Sequence, residues 1–382
     1  MRLHEFSATG FRNLAPLSLS PHPGLNVIHG RNAQGKTNLL EALFYVASLR
    51  SFRTRQARQL IGWEAAFVRL DARAEAGGRT TQLRVTLSAE GRRLQVDGAA
   101  VEAVDEYFGG FNAVLFTPEH LTLVRGEPAS RRSFLDRALF NVDPGQLACV
   151  RRYNRVLKER NACLKRYGDG GGHGLAAPLL DVLDQQLAGA AADLVDRRQG
   201  LRFALAPRVA ELYQRISDDE KPVALRYRCR GLPEAKTLWD GDAEGDVLDA
   251  YRDLLRDRLA QRRDDDLRRG FTSLGPHQDD LDIRLDHRSA RNTASQGEAR
   301  TLVLSLKLAE VQHVHERRSE PPVLLLDDIG SELDDRRREI LFSTLAPLGC
   351  QTFLTTVSRD LVPHADERVY FTIESGVLAA DS

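Results

Sequence analysis

Eight consecutive residues early in the chain have the types and spacing of a loop that binds phosphates. They match G-x-x-x-x-G-K-[ST] and are Gly30, Arg31, Asn32, Ala33, Gln34, Gly35, Lys36 and Thr37. The two glycines let backbone N–H groups point inward around an anion. Lys36 adds a positive charge for the β- and γ-phosphates of a nucleotide, and the Thr37 hydroxyl is a hard oxygen ligand for Mg²⁺. We expect the Lys36 side chain to be exposed when the site is empty.

The flanking residues supply the elements that must position such a loop. Residues 25–28, Leu-Asn-Val-Ile, are mostly apolar and predict a short strand that runs into Gly30. After Thr37, apolar residues recur at helical spacing, at Leu39, Leu40, Leu43, Phe44, Val46 and Ala47. The N-terminus of that helix adds the positive end of its dipole to the anion site.

A second part of the site is predicted far along the chain, at residues 322–328. Four apolar residues there end in two carboxylates, Asp327 and Asp328, which is typical of a buried parallel strand. Ligands bind at the carboxyl ends of strands in open α/β sheets. We expect Asp327 to hold Mg²⁺ together with Thr37, and Asp328 to polarise an attacking water. Lys36 and Asp328 are therefore the candidate catalytic residues.

A third motif, Ser295, Gln296, Gly297 and Glu298, precedes another helical pattern. A serine and a glycine at a helix start expose a hydroxyl and backbone N–H groups, which can bind an anion. The motif is weak alone, because serine caps many helices. Its value lies in the order along the chain: the phosphate loop, this turn, the Asp327–Asp328 strand, and then residues 331–334.

Composition limits the class of protein. The 382 residues are 42% hydrophobic and 28% charged, and the formal net charge is +0. Contacts with nucleic acid must therefore come from local basic patches. The sequence has no apolar run long enough for a membrane span and no apolar signal core near Met1. The scattered cysteines, Cys149, Cys163, Cys229 and Cys350, predict reduced thiols in a cytoplasmic protein without a membrane segment.

The periodicity divides the chain into three parts. Residues 1–145 are strand-rich and carry the phosphate loop, residues 146–270 are mainly helical, and residues 271–382 return to an α/β pattern. In the helical part, one stripe ends at Gly168 and a glycine-rich loop spans 168–174. A long helix over 180–216, kinked at Pro207, completes an antiparallel hairpin. A strand is expected at 223–228 and a helix at 247–267.

In this order the motifs resemble those of ABC ATPases of the structural-maintenance and Rad50 kind. Within that group, the chain resembles the RecF family of bacterial recombination mediators. The matching segments cover essentially the whole chain: Arg12-Asn-Leu14, Phe116-Thr-Pro-Glu119, Arg131-Arg-Ser-Phe-Leu-Asp136, Leu274-Gly-Pro-His-Gln-Asp-Asp-Leu281, Ser295-Gln-Gly-Glu298 and Leu325-Leu-Asp-Asp-Ile-Gly-Ser-Glu-Leu-Asp334. The resemblance implies an α/β fold, an ABC-type P-loop ATPase head with an inserted, mainly helical lobe.

The resemblance also implies a function. ATP and Mg²⁺ would be the cofactors, and a homodimer would form on ATP binding, with Ser295, Gln296 and Gly297 of one subunit facing the phosphate loop of the other. The partners would be single- and double-stranded DNA at junctions, RecR and RecO, and indirectly RecA. A weak DNA-stimulated ATPase would serve as a switch in DNA replication, recombinational repair and the SOS response.

Three positions depart from the ABC pattern. Asp328 stands where transporter-type cassettes carry Glu, Thr355-Thr356 stands where many have a switch histidine, and Pro118-Glu119 lies near the usual Q-loop glutamine. The shorter Asp328 side chain suits slow turnover, γ-phosphate sensing at Thr355-Thr356 is open, and we assign no role to Glu119.

Two further groups of residues are weaker candidate sites, and two other functions are compatible with a nucleotide-binding motif. His277 beside Asp279 and Asp280 favours a turn or an interface over a metal site, since no second His or Cys lies at ligand spacing. A basic run around Phe52 is either a solvated surface or a phosphate contact, and it comprises Arg50, Arg53, Arg55 and Arg58. A Rad50- or condensin-like structural chromosome ATPase would need much longer heptad stretches. A transporter ATP-binding subunit would place the two nucleotide motifs closer together.

Overall fold

The described part of the chain, in a computed structural model, comprises residues 1–168, 173–217, 219–240, 246–329, 333–359, 362 and 368–381. It divides into two units, Met1–Leu121 with Arg300–Ser382, and Thr122–Ala299. The predicted boundaries after residues 145 and 270 both lie within the range of the second unit. Most of the predicted glycine-rich loop (169–172) lies outside the described residues. The same holds for residues 330–332, which belong to the Leu325–Asp334 motif.

The first unit contains an antiparallel sheet with the strand order β2-β1-β4-β5-β6-β7. Its strands are β1 (Arg2–Thr9), β2 (Leu17–Leu19), β4 (Phe67–Ala76), β5 (Arg79–Ser88), β6 (Gly91–Val96) and β7 (Ala99–Ala100). The strands predicted for this part of the chain are confirmed, and Leu83, Val85 and Leu87, at alternate positions of β5, are all buried. Gly77 and Gly78 both have positive φ between β4 and β5, which is why glycine occupies this hairpin turn.

A second sheet of the same unit positions the site, with the order β15-β14-β3-β13-β12-β8. Its strands are β3 (Leu25–His29), β8 (Ala113–Phe116), β12 (Val323–Leu326), β13 (Thr352–Thr356), β14 (Arg368–Glu374) and β15 (Val377–Ala380). All neighbours are parallel except the β14–β15 hairpin. The register pairs Val27 with Leu354, and Leu354 with Leu326. The carboxyl ends of β3, β13 and β12 therefore lie side by side.

Helix α1 (Lys36–Ser48) follows β3, as predicted. Leu39, Leu40, Leu43 and Phe44 are all buried in a core shared by both sheets. Among the residues that the structure describes, this unit also contains the helices α2 (Val104–Tyr107), α12 (Asp335–Leu345) and the part of α11 (Gln296–Arg318) from Arg300 onward. The prediction of a strand, a loop and a helix around Gly30–Thr37 is confirmed.

The second unit is mainly helical. Its helices are α3 (Thr122–Arg125), α4 (Pro128–Val142), α5 (Gln146–Gly168), α6 (His173–Ile216), α7 (Lys236–Asp240), α8 (Val247–Gln261), α9 (Arg263–Arg269) and α10 (Ala290–Thr293). The sheet has the order β11-β10-β9, with β9 (Val223–Arg228), β10 (Asp280–Leu285) and β11 (Arg288–Ser289). The predicted helix over 247–267 is in fact two helices, because the backbone at Arg262 leaves the helical region and caps both of them.

Helices α5 and α6 are antiparallel, as their ion pairs show. Arg152 pairs with Asp193 at 2.9 Å, and Arg160 pairs with Asp184 at 2.6 Å, so residue numbers rise along one helix as they fall along the other. Helix α6 has 44 residues, more than predicted, because it begins at His173 and is continuous through Pro178 and Pro207. The predicted antiparallel hairpin of two helices is therefore confirmed.

Buried polar side chains explain why residues 122–145 and 271–299 group with the helical segment. Arg131 of α4 donates two hydrogen bonds to Asp280 of β10, at 2.7 and 2.9 Å. Arg198 of α6 donates two to Asp136 of α4, at 2.8 and 2.9 Å. Such bidentate pairs fix orientation strongly when they are shielded from water. They hold α4, α6 and β10 together across wide separations in sequence.

Candidate phosphate-binding site

The loop between β3 and α1 has the backbone that the glycine positions require. Gly35 has φ +114, and a Cβ at Gly30 would lie 2.4 Å from the carbonyl oxygen of Ile373, which no side chain tolerates. Ala33 also has a positive φ, of 64°. Gly30 is therefore needed because β14 packs closely against the start of the loop, and Gly35 is needed because the backbone at the end of the loop has a positive φ.

Lys36 is buried, so the expectation that it is exposed in the empty site is wrong. Its ammonium group donates to the carbonyl oxygens of Gly30 at 2.6 Å and Arg31 at 2.9 Å. Only 7% of the residue is exposed. Burial lowers the pKa of Lys36, while the nearby carboxylates of Asp328 and Asp327 oppose that shift. The loop therefore folds around its own lysine, and a phosphate that binds Lys36 would compete with these two carbonyl contacts.

Asp327 lies at the end of β12 and joins the two halves of the predicted site. Its Oδ1 accepts hydrogen bonds from the hydroxyls of Thr37 at 3.0 Å and Thr355 at 2.7 Å. Burial raises the pKa of Asp327, and the two hydroxyls counteract that shift. A carboxylate and a hydroxyl in contact are the oxygen donors that Mg²⁺ prefers, so these residues suit the predicted metal role.

Two further carboxylates, those of Asp328 and Glu119, are near enough to Asp327 to help raise its pKa. Asp328 has φ 49°, a left-handed backbone that turns the chain away from β12, and its N–H donates to Thr355 at 2.9 Å. Glu119 lies in a 3-10 turn, Pro118–Leu121, close enough to Asp327 to contribute to its raised pKa. The resemblance places Thr355 at the switch-histidine position and Glu119 near the Q-loop position, but the sequence did not predict their interactions with Asp327.

The β14–β15 hairpin supports the loop from the other side, which sequence analysis also missed. The N–H groups of Ser375 and Gly376 donate to the side chain and the carbonyl of Gln34, at 2.6 and 2.9 Å. A Cβ at Gly376 would lie 2.0 Å from the carbonyl oxygen of Asn13. This hairpin turn is thus packed between the phosphate loop and the Arg12–Leu14 segment.

The Arg12-Asn-Leu motif and the basic run both contact α1. Arg12 donates to both carboxylate oxygens of Glu41, at 3.0 and 2.8 Å, and Glu41 is fully buried. Arg53 donates to Asn38 at 2.7 Å and lies 3.7 Å from Glu41. Arg53 therefore contacts the helix that follows the phosphate loop, although its side chain is exposed like those of Arg50, Arg55 and Arg58.

Ser295 belongs to the second unit and forms a capping box with Glu298. The Glu298 N–H donates to the Ser295 hydroxyl at 3.2 Å, and the Glu298 carboxylate accepts from the Ser295 N–H at 2.6 Å. Lys221 donates to Glu298 at 2.8 Å and is the first cause of the lowered pKa of that carboxyl. The start of α11 is exposed at Ser295, but the Ser295 N–H already donates to the carboxylate of Glu298 from the same helix.

His277 is held by hydrogen bonds to two other residues of the second unit. Its ring nitrogens contact the Tyr153 hydroxyl at 2.5 Å and the Thr272 carbonyl at 3.0 Å, and burial lowers its pKa.

Across the described ranges, no three His, Cys, Asp or Glu side chains converge in a way that could hold a metal. Within the same ranges, no helix combines the length and apolarity needed to cross a membrane.

Comparison with known sequences agrees with this arrangement. The RecF/RecN/SMC N-terminal domain family matches residues 2–378. The DNA replication and repair protein RecF of Myxococcus xanthus is 38% identical over 99% of this chain and 97% of that protein. The RecF protein of Geobacter sulfurreducens is 37% identical over 99% of each.

Solved structures agree as well. The recombination mediator protein RecF bound to ATP, from the RecFOR pathway, superposes with a TM-score of 0.87 and 30% identity, covering 100% of this chain and 97% of that one. An Smc head bound to the C-terminal winged-helix domain of ScpA gives a TM-score of 0.55 at 14% identity, with 100% and 97% coverage, and shows the fold alone. The predicted ABC ATPase fold is confirmed.

Proposed function

This chain belongs to the RecF branch of the RecF/RecN/SMC N-terminal domain family, and on that premise we propose that it is an ATP-binding protein of recombinational DNA repair and replication. The observation that carries the proposal is the convergence of Lys36, Thr37 and Asp327. These residues come from segments about 290 positions apart, yet a hydrogen bond of 3.0 Å joins Thr37 to Asp327.

The chain's own residues fit ATP with Mg²⁺. The loop from Gly30 to Thr37 offers backbone N–H groups and the Lys36 ammonium to the phosphates, as phosphate nests do. The oxygens of Thr37 and Asp327 would hold the metal, which would neutralise phosphate charge. Lys36→Ala tests the site. We expect it to weaken ATP binding at least 100-fold in a folded protein, and near-normal affinity in nucleotide titration would refute the assignment.

ATP-driven dimerisation is the second part of the proposal. Ser295, Gln296 and Gly297 form an exposed helix start, and in the related fold such a turn would face the γ-phosphate held by a second copy. Only a ligand that binds the dimer better than the monomer shifts that equilibrium. We therefore propose that ATP, and not ADP, favours the dimer, and that the phosphate competes with the Glu298 carboxylate for the N–H groups of the turn.

Hydrolysis would be slow and would serve as a switch. Asp328 follows the metal-binding carboxylate and could orient the attacking water. Its backbone is fixed by the hydrogen bond from its N–H to Thr355. Asp328 is shorter than the glutamate of transporter cassettes, so its carboxylate reaches less far toward the phosphate. DNA would stimulate this reaction by stabilising the dimer.

The DNA and protein partners are proposed from the relatives. Curated relatives are DNA replication and repair proteins, and a solved relative acts in the RecFOR pathway. We propose that this chain binds single-strand/double-strand DNA junctions, cooperates with RecR and RecO, and thereby helps RecA loading. Gapped duplex, blunt duplex and single strands compared at equal length and salt test the preference. Equal affinity for all three would refute it.

A Rad50- or condensin-like structural chromosome ATPase is the alternative. Those proteins tether DNA through long coiled coils, whereas here α5 and α6 have 23 and 44 residues. The dimensions therefore favour a local DNA clamp over a long-range tether.

A further inference from the structure

Helix α5 carries an unusual concentration of positive charge. Its 23 residues include one acidic residue, Glu159, and seven basic residues: Arg151, Arg152, Arg155, Lys158, Arg160, Lys165 and Arg166. The whole chain, in contrast, has 54 basic and 54 acidic residues. Because the overall balance is zero, this excess is local to α5.

Four of these residues form one stripe. Arg151, Arg155, Lys158 and Lys165 follow one another at intervals of four, three and seven residues, so they lie on one face of the helix. All four are exposed. The opposite face, which includes Tyr153, is buried against the rest of the unit. At a rise of 1.5 Å per residue the stripe is about 21 Å long.

Three members of this stripe, Arg155, Lys158 and Lys165, differ in their ion pairing from other basic residues of the same unit. On α8, Arg252 pairs with Asp249, Arg256 with Asp253 and Asp257, and Arg258 with Glu234. On α5, Arg152 pairs with Asp193. Within the described ranges, no carboxylate lies within 4.0 Å of the basic groups of Arg155, Lys158 or Lys165. These three cations are solvated and available.

We propose that Arg151, Arg155, Lys158 and Lys165, the α5 basic stripe, bind the phosphate backbone of DNA. The proposal rests on the proposed DNA-binding function and assigns it a surface. A stripe of about 21 Å corresponds to about six base pairs of duplex at 3.4 Å each. It lies along a convex helix face, which suits an extended polyanion better than a small anion that needs a concave pocket.

The composition of the stripe also favours DNA over an acidic protein. Protein interfaces have apolar or aromatic residues at their centre and few charges there. The exposed residues between the basic side chains of this face are the polar Asn154 and the small Ala162. Phosphate contacts need nothing apolar, and they carry no base information, so binding through this stripe is independent of sequence.

The test compares two triple variants with equal changes in charge. The first is Arg155→Gln with Lys158→Gln and Lys165→Gln. The second, on α8, is Arg252→Gln with Arg256→Gln and Arg258→Gln. DNA affinity is measured by anisotropy at several salt concentrations, with two unrelated gapped duplexes. ATP affinity and thermal unfolding show whether each variant is folded.

We expect the stripe variant to reduce the slope of log affinity against log salt by about 2–3 units, since each lost phosphate contact contributes about 0.9. The loss is the same on both sequences, ATP affinity is unchanged, and the α8 variant retains the wild-type slope. If the stripe variant and the α8 variant have the same slope of log affinity against log salt, the proposal about α5 is overturned, although the proposed DNA-binding function is not. A wild-type protein that does not bind DNA would instead refute the proposed function.

Discussion

The hydroxyl of Thr355 donates a 2.7 Å hydrogen bond to Oδ1 of Asp327. The same Thr355 oxygen accepts the N–H of Asp328 at 2.9 Å. One fully buried threonine therefore fixes both carboxylate positions at the end of β12, from the neighbouring strand β13. This strand lies between β12 and the phosphate-loop strand β3, so Thr355 connects the two halves of the site.

Thr355→Val keeps the side-chain volume and removes the hydroxyl. We expect Mg²⁺-dependent ATP binding to weaken about 10-fold or more, because a hydrogen bond to a charged group contributes about 1.5–3 kcal/mol. Mg²⁺ titration at fixed ATP measures the effect. Thr355→Ser, which keeps the hydroxyl, is the matched control and is expected to restore most of the affinity. If valine and serine behave alike, Thr355 only fills space.

Asp328→Asn is expected to bind ATP and to dimerise, but to hydrolyse ATP at least about 10-fold more slowly. The amide retains the shape and loses the basic oxygen that orients water. Asp327→Asn is expected instead to damage Mg²⁺-dependent binding, since this residue contacts Thr37. Single-turnover hydrolysis separates the two variants. A wild-type rate for Asp328→Asn would place the base elsewhere, with Glu119 the next candidate.

The stability of the protein is expected to depend on pH through Asp279. Burial raises the pKa of this carboxyl from 3.8 to about 7. The folded state then holds a proton that the unfolded state releases, so the free energy of unfolding falls as pH rises from about 4 to 7. Asp279→Asn removes this contribution, on the order of a few kcal/mol. Urea unfolding of both proteins at pH 5 and pH 8 checks it, and an identical pH dependence would contradict it.

A test of the basic run after α1 must leave Arg53 unchanged. Arg53 is bonded to Asn38, so its removal would disturb α1 as well as any DNA contact. Arg55→Gln with Arg58→Gln alters only exposed side chains. If this run contacts phosphates, we expect the salt slope of DNA binding to fall by about 1–2 units with ATP affinity unchanged. An unchanged slope would identify these arginines as a solvated surface.

Local patterns sufficed to predict the phosphate loop, because each of its parts is a few residues long. The strand before Gly30, the glycine positions and the helix after Thr37 all follow from local rules. The strand before Asp327 was equally clear, being uniformly apolar. The hairpin of α5 and α6 followed from helical periodicity on both sides of a glycine-rich stretch.

Contacts between distant segments were not predictable in the same way. Nothing local in Thr355 indicates a hydrogen bond to Asp327, and nothing in Ser375 indicates a bond to Gln34, 341 positions away. The burial of Lys36 was also missed, because the carbonyls that hold it belong to the loop's own folded shape. The extent of the second unit depends on ion pairs such as Arg131–Asp280, which link segments 149 positions apart.

The central claim, an ATP-gated dimer, is tested most directly by molar mass. Light scattering is carried out with Mg²⁺ and ATP, with ADP, and without nucleotide, on the wild type and Ser295→Arg. Asp328→Asn, which turns over slowly, keeps ATP bound during the measurement. We predict a dimer only with ATP, enhanced in Asp328→Asn, and a monomer for Ser295→Arg despite normal ATP affinity. The same mass in ATP and ADP for the wild type and Asp328→Asn would contradict the account.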